Sequence, residues 1–407
     1  MKGNGFLDTT RSKNRISIRD HIVFISVTFV YWFSMYIYVP VLPTYLESLG
    51  ATYTFIGIVL GSYGVMQVLI RLPIGIFSDL MKARRPFIIL GLVTSVLSCV
   101  GFVLSDGLGW ALGFRTLSGV AASTWVTFTV LYSNFFSKEG STQSMSIMQF
   151  VTVTAQVISM GVSGVLVKRW GLEFPFLIGG ILGFMGLALS FFIKEPVGDE
   201  AKSLMRMKDV PKVVRNPLLV KVSLLSAFAH CVLFITVFGY TTPYALNLGV
   251  EEGELGYISF AFLIPHAIAS LFSGRKIVPV LGQWMTLTIG FLGSAVFTCM
   301  IPLVDHYGWL CLTQSFNGFF LGLTFPLLLS MAIQSVPREK QATAMGFYQS
   351  VFAAGIFLGP FLAGVLNHMF GLKGGFFLAA TLGFIAVGIS YVERNNFKYS
   401  VDNDVKA

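Results

Sequence analysis

The chain has 407 residues, of which 55% are hydrophobic and only 12% are charged, with a formal net charge of +9. A water-soluble domain carries about 25% charged residues, so the composition excludes an ordinary soluble enzyme. The basic balance raises the question of a nucleic-acid partner, which the distribution of the charges answers below.

Twelve apolar stretches long enough to cross a hydrocarbon core of roughly 30 Å as helices are predicted near 22–46, 55–78, 86–105, 109–133, 144–167, 173–193, 221–246, 254–273, 284–304, 308–333, 342–369 and 373–392. They do not alternate polar and apolar residues, so a transmembrane barrel is excluded. A helical bundle satisfies every backbone group in lipid. The first stretch is too long for a signal-peptide core and follows a polar segment with Lys2, Arg11, Lys13, Arg15 and Arg19, so no cleaved leader is expected.

With the N-terminus inside, about 23 of the 28 Lys and Arg fall in cytoplasmic segments. Lys168, Arg169 and Lys373 fall outside, and Arg71 and Arg115 lie within spans. By the positive-inside rule this predicts a multi-pass protein of the cell membrane with both termini cytoplasmic. It also accounts for the basic charge without nucleic acid. Cys99, Cys231, Cys299 and Cys311 all sit in predicted spans and build neither a disulfide framework nor a metal site.

The chain divides into two copies of one half. Residues 143–184 and 343–384 align without a gap at an offset of 200, with 12 of 42 positions identical, among them Met145 with Met345, Gln149 with Gln349 and Gly164 with Gly364. Earlier segments align at an offset near 199: Gly75 with Gly274, Gly91 with Gly290, Gly119 with Gly318. A duplicated apolar half marks a transporter whose substrate site lies between repeats. The expected organisation is an N-terminal six-helix half (1–193), a cytoplasmic linker (194–220) with room for a short surface helix, a C-terminal six-helix half (221–392) and a polar, mobile cytoplasmic tail (393–407).

Three segments carry motifs. Between spans two and three lies Gly75-Ile-Phe-Ser-Asp79-Leu-Met-Lys82-Ala-Arg84-Arg85. It resembles the Gly-x-x-x-Asp-Arg-x-Gly-Arg-Arg signature of the major facilitator superfamily, although Leu80, Lys82 and Ala83 depart from it. In span four, Arg115-Thr-Leu-Ser118-Gly119 resembles the superfamily's Arg-x-x-Gln-Gly, with Ser118 in place of glutamine. In span eleven, Gly355, Gly359, Pro360 and Gly364 resemble a Gly-x-x-x-Gly-Pro-x-x-Gly-Gly motif that the drug-antiporter branch carries in span five. Here span five has Ala155, Ser159, Met160 and Gly164 at the matching positions, so close helix packing explains the glycines of span eleven as well as an antiport signature does. The resemblance implies an all-α membrane protein: twelve transmembrane helices in two pseudo-symmetric six-helix halves, the major facilitator fold. Gly75, Asp79, Arg84 and Arg85 then form a gating motif.

Ionisable and polar groups at membrane depth are candidate coupling or substrate residues. They are Arg115, His230, His266, Gln67 (the repeat partner of His266), Gln314 and Asn317. In the family, spans 1, 4, 7 and 10 line the cavity, which adds Tyr31, Tyr36 and Trp125. An aromatic cavity with a few amides suits an amphipathic organic molecule. No Asp or Glu is placed deep in any span, so an excess of basic groups is expected to favour an anion or a neutral amphipath over a cation. The sequence contains neither a Gly-rich phosphate loop ending in Lys-Ser/Thr nor His-Glu-x-x-His. The expectation is a secondary transporter, not an enzyme, with no cofactor, no metal and no catalytic residue. Its partners are a small-molecule substrate, the lipid bilayer and protons as the candidate coupling ion. It is expected to act as a monomer and to export a drug or metabolite. Uptake or facilitated diffusion of a nutrient or organic anion, and a non-transporting sensor or scaffold, are the alternatives.

Overall fold

The structure, a computed structural model, describes residues 16–51, 53–105, 107–137, 140–196, 206–251 and 255–406. The N-terminal basic segment before residue 16, Asp106, Glu252, Glu254 and linker residues 197–205 lie outside the described residues.

Twelve helical spans follow one another. In the first half they are α1 (Ile18–Tyr36, continued by Leu42–Ser48), α2 (Tyr53–Leu80), α3 (Arg85–Leu104), α4 (Leu108–Ser123 and Trp125–Ser133), α5 (Ser141–Trp170) and α6 (Phe174–Ser190). In the second half they are α7 (Pro217–Asn247), α8 (Leu255–Leu281), α9 (Gln283–Leu303), α10 (Tyr307–Gln334), α11 (Gln341–Phe370) and α12 (Lys373–Lys406). Among the described residues, nine helices are long and apolar enough to cross a membrane. α6, at 17 residues, is a shorter apolar helix. α12 continues as a helix over the polar tail that the sequence marks as mobile.

Local sequence sets the helix ends. Ser17 and Asp20 form a reciprocal capping box at the start of α1. Asn216 caps α7 through the backbone N–H of Leu219, and Pro217 opens the helix where its missing N–H costs nothing. α5 and α11 end at Gly171 and Gly371, a repeat pair with φ of 96° and 73°, where glycine takes the left-handed region without strain. α7 and α8 each contain a π turn, at Thr236–Tyr240 and Ser273–Ile277. The linker carries a short helix, Val210–Val214. Just before it, Asp209 accepts the backbone N–H of Arg206 at 3.2 Å, which holds its carboxyl below the usual carboxylate range. The same carboxylate lies 3.7 Å from Lys340 Nζ, just ahead of α11.

Small residues let the helices approach closely. A Cβ at Gly119 would lie 2.8 Å from the Tyr63 carbonyl, and one at its repeat partner Gly318 would lie 2.1 Å from the Phe262 carbonyl. These positions draw α4 onto α2 and α10 onto α8. Gly355 and Gly359 do the same for α11 on α7, against Ala227 and Cys231. Tyr240 donates a 3.0 Å hydrogen bond to the carbonyl of Pro360, and its hydroxyl would lie 2.8 Å from a Cβ at Gly364.

The two halves meet along two seams related by the repeat, α2 with α11 and α5 with α8. One large buried cluster includes residues of both halves, such as Phe24, Met145, Val222 and Tyr348. Toward the face opposite the linker the apolar cores separate. One contains only first-half residues, including Tyr38, Tyr45 and Phe102. The other contains only second-half residues, including Tyr244, Ile258 and Phe376. The described halves are thus joined at the linker face and at mid-depth.

Candidate functional site: a sealed central cavity

A cavity of about 110 Å³ lies between the halves. It is lined from α1, α2, α4, α5, α7, α8, α10 and α11, and by no residue of α3, α6, α9 or α12. Those four outer spans expose Leu97, Phe184, Leu292 and Phe384, as suits helices facing lipid.

The structure brings together Tyr36, Gln67, Trp125, His230 and His266 from the sequence-derived candidates. It leaves four others outside the lining. Tyr31 is fully buried and donates its hydroxyl to the Ala121 carbonyl at 2.5 Å, so it ties α1 to α4. Arg115 lies with its guanidinium 4.2 Å from the centroid of the Tyr63 ring, and that ring, not Arg115, lines the cavity. Asn317 accepts a 2.6 Å hydrogen bond from Ser294 and so joins α10 to α9. Gln314 is fully buried, away from the lining.

Arg71, which the sequence places with Arg115, His230 and His266 among the embedded ionisable groups without marking it as a site residue, lines the cavity. It is only 3% exposed. Nη1–H donates to the Gln349 carbonyl across the seam at 3.0 Å, and Nη2–H donates to Gln67 Oε1 one turn earlier. Among the described residues its Nε has no hydrogen-bond partner. The guanidinium carbon lies 4.6 Å from the centre of the Phe352 ring, an attractive placement for a cation. The i, i+4 spacing of Gln67 and Arg71 places both on one helix face, and that spacing was a readable signal.

The two histidines flank Phe325. His230 stacks on Phe352, with centroids 4.0 Å apart and planes 2° apart, and meets Phe325 edge-on at 4.7 Å. Its Nδ1 lies 2.8 Å from the Ser226 carbonyl. A carbonyl only accepts, so the neutral ring carries its proton on Nδ1 and keeps Nε2 as acceptor. His266 lies 5.5 Å from Phe325, and its Nε2 is 3.3 Å from Gln149 Nε2 across the other seam. With the amide nitrogen facing the ring, Nε2 accepts and the proton sits on Nδ1, which has no partner among the described residues. Under the repeat, Gln67 corresponds to His266 and Gln349 to Gln149. Each seam therefore has one cross-half polar contact at this level, one made by a fixed cation and the other by a titratable ring.

Below the cavity the linker face is sealed. Asp79 accepts the backbone N–H groups of Ala342 and Thr343 at 3.3 and 2.7 Å. These are orphan donors in the first turn of α11, so a carboxylate of one half caps a helix of the other. Arg84 Nη2–H donates to the same carboxylate at 2.6 Å, and Nη1–H donates to the Ser78 carbonyl. Gly75 lets the backbones touch: a Cβ there would lie 2.1 Å from the Ala342 carbonyl. Arg85 points elsewhere, donating to the Phe191 carbonyl. Glu195 accepts the backbone N–H of Arg84 and of Arg85 at 2.5 and 3.1 Å, which caps α3. Lys82, where the motif resemblance places a glycine, holds φ at 52°, a conformation costing a non-glycine residue about 1 kcal/mol. At the other seam Gly274 N–H donates to Ser146 Oγ at 3.0 Å, and Thr142 and Ser330 hydroxyls meet at 2.8 Å.

Two six-helix halves enclosing a cavity, sealed at one face by contacts between them, define a membrane transporter with one central site. A family model described as the Major Facilitator Superfamily matches residues 24–275 and 222–407, and the chain belongs to that superfamily. It is a multi-pass membrane transporter and not an enzyme. It is similar to the inner membrane transport protein YajR of Escherichia coli, 25% identical over 359 residues, covering 86% of this chain and 77% of YajR. The multidrug efflux protein YfmO of Bacillus subtilis is 24% identical over 333 residues, covering 81% of this chain and 82% of YfmO. The crystal structure of the human organic anion transporter MFSD10 (TETRAN) matches with a TM-score of 0.80 at 18% identity, over 91% of this chain and 98% of that one. It shares the fold.

Proposed function

We propose that the protein exports small amphipathic organic compounds, drugs or metabolites, across the cell membrane by proton-driven alternating access. The observation that carries this reading is the cavity itself. It is walled by aromatic rings such as Trp32, Trp125 and Phe352, carries a few convergent amides, and holds two histidines on its second-half wall. Such a lining holds a flat apolar body and orients it through a few hydrogen bonds. Similarity to the multidrug efflux protein YfmO supports the direction.

In this reading the linker and both termini face the cytoplasm, and the protein works as a monomer in the bilayer. Gly75, Asp79, Arg84 and Arg85 form the cytoplasmic gate, Arg85 through the packing of α3 on α6. His230 and His266 are the coupling candidates, since both are titratable side chains that line the cavity. Gly355, Gly359, Pro360 and Gly364 serve helix packing. Arg115, Asn317 and Tyr31 act on the cavity only through the helices they join, and Gln314 only through packing.

The test is flux in proteoliposomes. Export predicts counterflow of amphipathic substrates that an imposed proton gradient accelerates. Downhill movement indifferent to the gradient favours facilitated diffusion. Absence of substrate-dependent flux, with the folded protein present, favours a sensor or scaffold. Comparing metabolites inside and outside a deletion strain and its parent then narrows the substrate.

A further inference from the structure

We infer that the cavity is built for an amphipathic organic monoanion, and that Arg71 is the residue that holds its carboxylate or sulfonate. The inference rests on the transport reading above and adds a substrate class to it.

Arg71 is nearly fully buried, yet each of its hydrogen-bond partners, the Gln349 carbonyl and the Gln67 amide oxygen, is neutral. Among the described residues, no Asp or Glu lines the cavity. The nearest acidic residue along α2, Asp79, is engaged by Arg84 and the start of α11. A buried cation without a counter-charge is costly unless something else completes it. The guanidinium has five donors in a planar fork, and Nε–H is unpartnered. A carboxylate or sulfonate meets such a fork through charge-assisted hydrogen bonds. One uncompensated charge calls for one negative charge, and the aromatic walls beside it call for an apolar body. Arg115, the other embedded arginine, does not line the cavity.

The test uses the full chain in lipid nanodiscs and three matched probes titrated calorimetrically: 2-naphthylacetate, its neutral amide 2-naphthylacetamide, and the cation 2-(2-naphthyl)ethylammonium. The wild type is expected to bind the acetate at least about tenfold more tightly than the amide, with the cation weakest. Arg71→Gln should bring the acetate-to-amide ratio to about one, the value expected when a charged partner is removed. Arg71→Lys keeps the charge and loses the fork, and should retain less than half of the preference. Arg115→Gln should keep it whole.

A wild-type ratio near one overturns the inference, as does an Arg71→Gln or Arg71→Lys protein with the full wild-type preference. Flux of the same probes in proteoliposomes separates this result from the transport reading. An Arg71-dependent preference without flux of any probe keeps the anion site and removes export. Flux of the amide with no preference for the acetate keeps export and removes the anion site.

Discussion

Asp79 and Thr343 belong to opposite halves of the molecule, and the carboxylate of one accepts the backbone N–H of the other at 2.7 Å. In the proposed alternating-access cycle the bond exists only while the linker face is closed, because opening that face would draw α2 away from α11. Its energy therefore enters the balance between the two access states rather than the stability of either half.

Replacing Asp79 by Asn removes the charge that favours the helix terminus and the pairing with Arg84, while leaving one acceptor oxygen. Charge-assisted bonds of this kind contribute about 1.5–3 kcal/mol each, and the helix terminus adds about 0.3–1 kcal/mol. The expected result is a tenfold or larger shift away from the closed linker face, again on the order of 1.4 kcal/mol per decade. Distances between nitroxides at Ser137 and Val280, on opposite halves of that face, check it. An unchanged distance distribution would show that the closed face is held by packing alone.

Gly75→Ala reaches the same end by a steric route. Its Cβ would meet the Ala342 carbonyl at 2.1 Å, so α2 and α11 must separate. The nitroxide distance should lengthen and flux should fall, with membrane insertion retained. Normal flux in this variant would mean that the seam has slack.

Glycines within one half should behave differently. Gly318→Ala places a Cβ 2.1 Å from the Phe262 carbonyl inside the second half, and overpacking of this kind costs about 1–3 kcal/mol. Gly164→Ala opens onto free space. Melting curves in one detergent should show a loss of several degrees for the first and almost none for the second. Equal melting would remove the packing role of Gly318.

His230→Gln tests coupling. The amide can still hydrogen-bond at the site but takes up no proton. Gradient-driven flux should fall to the level of exchange without a gradient, and that exchange should persist. His266→Gln, which can still pair with Gln149, is the companion variant. Full gradient acceleration in both variants would take the histidines out of the coupling.

Orientation is checked by labelling single cysteines in a cysteine-free background. Lys208→Cys in the linker should resist an impermeant maleimide in intact cells, and Glu251→Cys on the opposite face should react. The reverse pattern would invert the assigned orientation.

The spans and the two-fold repeat were legible in the sequence because hydropathy and duplication are properties of the chain itself. Membership of the cavity was not, because it depends on how each helix is rotated about its axis. Tyr31 and Tyr36 lie five residues apart on α1. One is turned into α4 and the other faces the cavity, yet their sequence contexts are alike. Gln314 and Asn317 sit at cavity depth but turn away from it within their own half. Arg115 attracted attention through motif resemblance, and the ring of Tyr63 stands between it and the space that a substrate would fill. Arg71 belongs to no motif and stood out only as an ionisable group at membrane depth, yet it lines the cavity.

The positive charge of Arg71 in the cavity wall, bound to neutral partners, has an electrical consequence in the proposed cycle. An empty carrier presents a net charge to whichever solution its cavity faces, whereas a carrier loaded with a monoanion presents a neutral pair. In the proposed anion cycle, exchanging access would then move uncompensated charge through the membrane field on the limb that returns without substrate, where Arg71 is joined by any proton taken up for coupling. Full passage of one charge corresponds to about 2.3 kcal/mol per 100 mV. A membrane voltage would then act mainly on the limb that returns without substrate and little on the limb that carries the monoanion, so the resting potential of the cell would become a rate control on turnover.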